Sequence, residues 1–278
     1  MPPRTFLITG VSSGFGHAFA ERALAAGDRV VGTVRSSDAA ADFERLTAGR
    51  AHARLLDITD DAAVVTTVAE IERDLSPIDV LIANAGYGLE GTFEESTMAE
   101  LRDQFAVNVF GTVAVMKAVL PGMRERRHGH IVVITSVGGL IPAPTLSFYN
   151  GSKFAMEGIT RSLAGEVARF GVHVTAVEPG AFRTEWSGRS MRRARRTVAD
   201  YDQQIETISA ARAAYNGKQP GDPAKAGDAI LALLDANQPA THLLLGSDAA
   251  AAASKALNDY VREVEEWAQL TGSTDYTT

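Results

Sequence analysis

The chain contains no cysteine among its 278 residues. This absence excludes disulfide bonds, thiolate catalysis, iron–sulfur clusters and cysteine-ligated zinc. The six histidines are scattered without H-E-x-x-H or similar ligand spacing, so the sequence predicts no metal site. An excess of basic charge is also lacking. The formal net charge of -7 argues against a general nucleic-acid-binding protein.

Long hydrophobic runs are scarce. The nearest candidate for a membrane span, residues 107–120, is interrupted by Asn108 and Lys117 and falls short of the roughly 20 residues that a span requires. The first residues carry one arginine and a very short apolar run, which is not the pattern of a signal peptide. We therefore expect a soluble, cytoplasmic protein.

What the sequence does contain is a regular alternation of apolar strands and helical segments. Strands are predicted at 4–9, 29–34, 53–56, 79–83, 130–135, 173–177 and 242–245. After a first helix that follows residue 16, helices are predicted at 60–74, 98–125, 146–170, 222–235 and 249–269. Apolar strands joined by helical crossovers predict an α/β fold, with a parallel sheet covered by helices on both faces.

No repeat or linker divides the chain, so we predict a single domain over residues 1–278. The least regular stretch, residues 181–221, follows directly after a predicted strand. Ligands of such sheets bind beyond the carboxyl ends of the strands. The stretch is therefore predicted to be a substrate lid.

A glycine-rich turn, G-V-S-S-G-F-G at residues 10–16, lies between the first predicted strand and the first helix. Glycines at such a turn let the backbone approach a pyrophosphate, and the helix N-terminus offers free N–H groups. The spacing G-x-x-x-G-x-G differs from the G-x-G-x-x-G fingerprint. The turn predicts a nucleotide-binding site; the alternative is a flexible surface turn.

Tyr149 and Lys153 lie four residues apart and share one face of a predicted helix. A neighbouring ammonium group favours the phenolate and lowers the tyrosine pKa, which is ordinarily near 10. The pair is a candidate acid/base. Taken alone, the same spacing also occurs on ordinary helix surfaces.

Seven motifs in register now indicate a family. They are T-G-V-S-S-G-F-G at 9–16, L-D-I-T at 56–59, A-N-A-G at 83–86, V-N-V-F-G at 107–111, I-T-S-V-G-G at 134–139, Y-N-G-S-K at 149–153 and E-P-G-A-F-R-T at 178–184. The chain resembles the compact branch of the short-chain dehydrogenase/reductase family, and is similar to hydroxysteroid- and retinol-dehydrogenase-like members. It departs at Ala83, where the family often has a second asparagine. The resemblance implies a Rossmann-type, doubly wound parallel sheet of about seven strands.

The resemblance also implies a catalytic set. Ser136 is expected to position the substrate carbonyl, Tyr149 to exchange the proton, and Lys153 to lower the Tyr149 pKa and hold the nicotinamide ribose. Asn108 is expected to order the water of a proton relay. Two simpler roles stay open: Ser136 as a turn residue at a strand end, and Asn108 as a hydrogen-bonded core residue.

The cofactor-binding residues implied by the resemblance follow the same motifs. They are Gly10, Ser12, Ser13, Gly14, Phe15, Gly16, Arg35, Asp57, Ile58, Asn84, Ala85, Gly86, Tyr149, Lys153, Pro179, Gly180 and Thr184. Asp57 would bond the adenine amino group, or cap the next helix instead. Residues 84–86 would support the cofactor and the central sheet, or have a purely structural role. Thr184 would contact the nicotinamide carboxamide.

Arg35 decides the predicted cofactor. An acid at the end of the second strand would bond the ribose 2′-hydroxyl of NAD, whereas arginine offers a planar fork for a 2′-phosphate. The sequence therefore predicts NADP(H). NAD(H) stays possible, because Arg35 could be only a solvated charge and a loop shift could bring Asp38 to the ribose.

The predicted activity is hydride transfer between NADP(H) and a carbonyl or alcohol, with Tyr149 as acid/base. The apolar candidates Leu140, Ile141, Phe182 and Trp186 favour a hydrophobic substrate. A basic cluster at Arg189, Arg192, Arg193, Arg195 and Arg196 is interpreted as a solvated helix face; an anionic-substrate site or a partner surface are the alternatives.

Two other functions remain open at this point. A redox sensor could bind NADP(H) without chemistry, although the four catalytic residues together argue against it. An epimerase or dehydratase is disfavoured by the glycine spacing and the short C-terminal region. The resemblance further implies a homodimer or homotetramer, assembled through the faces of the 98–125 and 146–170 helices.

Overall fold

The computed structural model describes residues 2–188 and 190–276. Its strands are β1 (Thr5–Ile8), β2 (Arg29–Val34), β3 (Ala51–Leu55), β4 (Val80–Ala83), β5 (Gly88–Glu90), β6 (Gly129–Ile134), β7 (Val172–Pro179), β8 (Met191–Arg193) and β9 (His242–Leu245). Seven of them form one sheet in the order β3-β2-β1-β4-β6-β7-β9, with every pairing parallel. These seven are the strands that the sequence predicts.

Ten α-helices connect and follow these strands in the described residues. They are α1 (Gly14–Ala25), α2 (Ser37–Glu44), α3 (Asp61–Asp74), α4 (Met98–Phe105), α5 (Thr112–Arg126), α6 (Ser147–Val167), α7 (Asp202–Tyr215), α8 (Pro223–Leu234), α9 (Ser247–Glu266) and α10 (Ala268–Gly272). Local sequence sets several starts: Asp60 caps α3 by accepting the Ala63 N–H at 3.0 Å, and Thr97 forms a capping box with Glu100 at α4.

Apolar side chains cover the sheet on both faces. One cluster packs strand residues such as Leu81 and Ile131 against residues of α3, α5 and α6, including Val119. The other packs Phe6 and Val132 against α1 and α8. The predicted Rossmann-type, doubly wound sheet is therefore confirmed. The order of strands reverses between β1 and β4, which opens a crevice at their carboxyl ends.

The predicted 98–125 helix is continuous but not regular, because a π-helical segment at Ala106–Gly111 joins α4 to α5. The helix from Met98 to Arg126 is long enough to cross a membrane, and an 18-residue window within it has a mean hydropathy of 1.5, although no membrane span was expected from the sequence. Val115, Val119 and Met123 belong to the core beside the sheet. Packing in the core therefore accounts for its apolar composition.

The sequence did not predict α2, nor the secondary structure inside the 181–221 segment. That segment contains β8, which pairs with β5, and α7. Ile205 is the one buried residue of α7 in the described structure, so the helix lacks the apolar stripe that reveals a helix in a sequence. The single-domain and lid predictions stay predictions.

Candidate active site

A cleft of about 1220 Å³ opens at the carboxyl ends of the central strands. All but two of the predicted site residues line it. The lining set is Gly10, Ser12, Ser13, Gly14, Phe15, Arg35, Asp57, Ile58, Asn84, Ala85, Gly86, Ser136, Tyr149, Lys153, Pro179, Gly180 and Thr184. Gly16 and Asn108 stand outside it, and their contacts show why.

The glycine turn fits a phosphate-bearing ligand. Gly10 and Gly14 have φ angles of 74° and 59°, a left-handed region that suits glycine. Ser13 begins α1 without a side-chain cap, so the first N–H groups of the helix remain available to a ligand at the cleft. Gly16 serves packing instead: a Cβ there would lie 2.3 Å from the Gly10 carbonyl oxygen.

Asn84 ties the end of β4 to the turn after β1. Its side-chain amide donates to the carbonyl oxygens of Thr9 at 3.0 Å and Gly10 at 3.1 Å. The Thr9 hydroxyl accepts from the backbone N–H groups of Asn84 and Ala85, both at 2.9 Å. The A-N-A-G turn thus fixes the glycine turn, and it also lines the cleft; its contact with a cofactor stays a prediction.

Ser136, Tyr149 and Lys153 meet at the floor of the cleft. The Ser136 hydroxyl oxygen accepts the Gly138 N–H at 3.0 Å and is hydrogen-bonded to the Tyr149 side chain. Lys153 Nζ donates to the Ile134 carbonyl oxygen at 2.9 Å and lies 5.8 Å from the centre of the Tyr149 ring. The turn after β6 and one face of α6 therefore bring the three predicted catalytic side chains together.

Burial dominates the electrostatics of this floor. Burial raises the pKa of Tyr149 to about 12, and hydrogen bonds from Ser136 and Trp186 oppose that rise. Burial lowers the pKa of Lys153 to about 8, against the opposing charge of Glu157. The Lys153 ammonium is directed to the Ile134 backbone carbonyl oxygen, and its predicted effect on the Tyr149 pKa stays a prediction.

Asn108 lies in the π-helical segment and is fully hydrogen-bonded. Its side-chain amide donates to the Tyr87 carbonyl oxygen at 3.0 Å and the Ser152 hydroxyl at 3.1 Å, while its Oδ1 accepts the Tyr87 N–H at 3.1 Å. Ser152 in turn donates to the Tyr149 carbonyl oxygen at 2.7 Å. Asn108 thus anchors the tyrosine helix; its proton-relay role stays a prediction.

Arg35 stands at the end of β2, where the sequence predicts recognition of the ribose. A smaller recess there is lined by Arg35, Ser36, Ser37, Leu55, Leu56 and Asp57. Ser36 caps α2 by accepting the Ala39 N–H, so a helix N-terminus adjoins the guanidinium. Asp38 lines neither this recess nor the cleft. The arrangement favours an anion.

Asp57 is not the cap of α3, because Asp60 performs that function. Its carboxylate accepts the backbone N–H of Thr59 at 2.9 Å and the Thr59 hydroxyl at 2.8 Å. The backbone bond, then the hydroxyl bond, hold the Asp57 pKa below its usual range. A permanently charged acceptor therefore faces the cleft.

Trp186, in the 181–221 segment, covers the tyrosine. The two ring centroids lie 5.3 Å apart, and the indole N–H is hydrogen-bonded to the Tyr149 side chain. Gly88 makes room for this contact, since a Cβ there would lie 3.2 Å from the indole and 2.9 Å from the Met191 side chain. Of the four apolar candidates, Ile141, Phe182 and Trp186 line the cleft and Leu140 does not.

The arginine cluster is not a helix face, because its described residues lie in β8 and in a stretch without regular secondary structure; Arg189 lies outside the described residues. Arg193 Nε donates to Glu90 at 3.1 Å, and Arg196 Nε lies 3.8 Å from Glu95. Arg192 lines the cleft, with its guanidinium 4.5 Å from the centre of the Tyr87 ring. Two members therefore pair with buried acids.

Glu90 and Glu95 were missed in the sequence. Glu90 also accepts from Arg212 of α7. The Glu95 carboxylate accepts the backbone N–H groups of Thr197 at 2.7 Å and Val198 at 3.0 Å, which hold its pKa below the usual range. The partners lie more than a hundred residues along the chain, so no local pattern reveals them.

A third unpredicted group lies behind α6, where Glu157, Glu178 and His242 come within 4.8 Å of one another. The His242 ring donates to Glu178 at 2.7 Å, and the Arg161 guanidinium lies 3.4 Å from Glu157. A histidine–carboxylate hydrogen bond and the ion pair of Arg161 with Glu157 therefore already engage the group. The prediction of no metal site stays a prediction.

Comparison with known proteins agrees with these motifs. The short chain dehydrogenase family profile matches residues 4–195. An oxidoreductase of the fungus Botryotinia fuckeliana, BOA17, is 35% identical over 269 residues, which is 96% of this chain and 97% of the relative. Human retinol dehydrogenase 8 is 40% identical over 196 residues, covering 67% of this chain and 61% of that enzyme.

Two solved structures extend the comparison. A short-chain dehydrogenase from Streptomyces avermitilis has a TM-score of 0.91 and 39% identity, and covers 99% of this chain and 100% of its own. The protein ElxO, solved with NADP bound, has a TM-score of 0.73 and 25% identity over 87% of this chain and 96% of its own. The fold is thus shared along nearly the whole chain.

Proposed function

Because the chain belongs to the short-chain dehydrogenase family of oxidoreductases, we propose that it interconverts a hydrophobic carbonyl compound and its alcohol with NADP(H). The observation that carries this proposal is the hydrogen-bonded Ser136–Tyr149 pair with Lys153 beside it, at the floor of a cleft built for a dinucleotide. Tyr149 is the proposed acid/base.

The residues of the cleft fit NADP(H). The glycine turn and the start of α1 would hold the pyrophosphate, and Asp57 the adenine amino group. Arg35, with the N-terminus of α2 beside it, would hold the 2′-phosphate. Pro179, Gly180 and Thr184 would flank the nicotinamide. ElxO, a neighbour of the same fold, was crystallised with NADP, which supports this choice.

When bound, the nicotinamide supplies the hydride. The Ser136 hydroxyl oxygen accepts a backbone N–H, and its O–H is hydrogen-bonded to the Tyr149 side chain. A substrate carbonyl oxygen placed between the two hydroxyl groups would take over that Ser136 O–H. With a pKa of about 12, Tyr149 is protonated at neutral pH and can donate to the developing alkoxide. This protonation state supports the direction of carbonyl reduction. Asn108 would complete the route by which the proton is replaced.

The substrate is proposed to be hydrophobic. Ile141, Leu146 and Trp186 line the cleft near Tyr149, and the relative retinol dehydrogenase 8 is named for a hydrophobic alcohol. We further propose that the protein is cytoplasmic and homo-oligomeric. Phe110 and Phe154, 64% and 43% exposed, supply apolar surface on the predicted helix faces.

The decisive experiment compares the wild type with Tyr149→Phe in NADPH oxidation, over a panel of ketones, aldehydes and steroids. Loss of the proton donor should reduce turnover by about 10²- to 10⁴-fold and leave NADPH binding intact. Near-normal turnover in the variant would refute the scheme. Wild-type protein that binds NADPH but turns over no substrate would instead favour the sensor function.

Cofactor choice is tested by Arg35→Asp, with Asp38→Ala as the matched control. Replacing the guanidinium by a carboxylate should repel the 2′-phosphate and shift the ratio of kcat/KM for NADPH and NADH toward NADH. The control should leave that ratio unchanged, because Asp38 lines neither recess nor cleft. An unchanged ratio in Arg35→Asp would remove Arg35 from the cofactor site.

A further inference from the structure

The outer half of α9 presents apolar side chains to solvent. Ala249 and Ala253 are buried at its start, whereas every residue from 260 to 276 is exposed. Six large apolar residues, each 51% to 65% exposed, lie in this half of α9 and directly after it: Leu257, Tyr260, Val261 and Val264 in α9, Trp267 at its C-cap and Leu270 in α10. Their spacing of three and four residues places most of them on one helix face. We call this set the C-terminal stripe.

An uncovered stripe of this kind needs a partner. A helix without tertiary contacts is only marginally stable in water, and its stability in a protein comes from packing of its apolar face. The six side chains together expose on the order of 600 Å². A standard protein interface buries about 800 Å² per partner. The C-terminal stripe is therefore large enough to form most of an interface.

The charges beside the stripe argue against a membrane as the partner. Between residues 255 and 266, α9 carries two basic residues and four acidic ones: Lys255, Arg262, Asp259, Glu263, Glu265 and Glu266. Helices that lie on anionic lipid carry lysine and arginine on the polar face. An excess of carboxylates would instead be repelled by such a surface.

The pattern of the stripe fits another copy of itself. Leu257, Tyr260, Val264 and Trp267 alternate spacings of three and four, as the a and d positions of paired helices do. A two-fold axis places the same patch of both subunits face to face. We propose that the C-terminal stripe is covered by a second copy of this chain, through pairing of the two α9 helices.

This interface differs from the faces of α5 and α6 that the sequence favours, and it adjoins the cleft. Ala249 and Ala252, in the first turns of α9, line the cleft. The preceding Asp248 accepts the Ala181 N–H at 2.8 Å, where the 181–221 segment begins. Pairing of α9 therefore secures a wall of the active-site cleft in each subunit.

The first test is the molar mass of the purified full chain, measured by light scattering after size exclusion. The double variant Val264→Glu/Trp267→Glu should halve the mass, because four carboxylates would face one another across the axis. The matched control, Arg262→Glu/Glu266→Lys on the polar face, should keep the wild-type mass. Since the substituted residues are exposed, we expect the melting temperature of both variants to stay close to that of the wild type.

The natural absence of cysteine allows a second test. Val264 lies at the centre of the stripe, so two copies meet near the axis in either a parallel or an antiparallel pair. Under mild oxidation, Val264→Cys should give a disulfide-linked dimer, and Glu266→Cys, on the polar face, should remain unlinked. Equal cross-linking of both variants, or of neither, would overturn the proposal.

Two further outcomes would also overturn it. One is a wild-type mass that the double variant does not change, or that already equals one chain. The other is flotation of the wild type with vesicles of phosphatidylcholine and phosphatidylserine that Val264→Glu/Trp267→Glu abolishes, since a membrane would then cover the stripe. None of these measurements depends on catalytic activity, so they can fail while the proposed function stands.

Discussion

The floor of the cleft and the 181–221 segment above it are held by different forces. At the floor, short neutral hydrogen bonds join strand ends, as when Asn84 bonds the carbonyl oxygens of Thr9 and Gly10. Above it, the Glu90 carboxylate accepts from arginines on β8 and α7, and the Glu95 carboxylate accepts a backbone N–H of the chain between them. The floor is therefore part of the central sheet, whereas the segment is attached through the β5–β8 pairing and the bonds to these two buried acids.

This difference predicts that the two regions affect different steps of the reaction. Ser136, Tyr149 and Lys153 sit on elements fixed by the core, so their geometry should persist when the segment moves. Trp186 reaches the tyrosine only because the segment is attached. We therefore expect changes at the floor to alter the chemical step and changes in the segment to alter substrate binding, and three variants examine that distinction.

The largest effect is expected for Trp186→Ala. Removal of the ring next to Tyr149 should raise KM for a hydrophobic ketone about tenfold and leave kcat within a few-fold, because an aromatic contact contributes roughly 1 kcal/mol. Steady-state kinetics measure both constants. Trp186→Phe keeps a ring without the N–H and should be intermediate. A kcat as low as that of Tyr149→Phe would place Trp186 in the catalytic floor instead.

A smaller effect is expected for Glu90→Gln. The neutral side chain should release Arg193 and Arg212, raise KM roughly threefold and speed hydrogen exchange in α7, since the charged pair would be replaced by weaker bonds. Hydrogen exchange followed by mass spectrometry locates the change. Asp74→Asn removes the exposed pair with Arg73 and should change neither quantity. Unaltered exchange in α7 of the Glu90 variant would show that this contact does not hold the segment.

The smallest effect concerns the floor and pH. Lys153 has a pKa of about 8, and the Glu157 charge raises it against the larger effect of burial. If the ammonium form is needed, the rate falls as pH rises through about 8. Glu157→Gln removes the raising charge, so the fall should begin at lower pH while the rate well below 8 is unchanged. The pH profile of kcat/KM measures the shift.

The control is Glu166→Gln, an exposed position on the same helix, whose profile should match the wild type. The groups facing Glu157 are Arg161 on α6, Glu178 on β7 and His242 on β9. A profile that did not move in Glu157→Gln would show that these neighbours, rather than Glu157, set the charge of Lys153.

How far the sequence predicts this protein depends on how local the signal is. The seven central strands are short apolar runs between turns, and all seven were predicted. The glycine turn and the Tyr149–Lys153 spacing are likewise local signals, because each is defined by a few consecutive residues. By contrast, α7 buries almost nothing in the described structure and carries no apolar period. Its position depends on a contact with Glu90, which lies more than a hundred residues earlier in the chain, so no local stretch of sequence includes both partners.

The sequence alone thus determined the sheet, the order of its motifs and the residues that line the cleft, because backbone preference and apolar period act over short distances. The tertiary structure decided how deeply each group is buried and which charges surround it. It desolvated Tyr149 until its pKa rose to about 12 and turned Lys153 toward a backbone carbonyl. It also paired two arginines of the predicted solvated face, Arg193 and Arg196, with the buried acids Glu90 and Glu95. Burial and charge pairing depend on atoms far apart in the chain, so they follow only once the chain is folded.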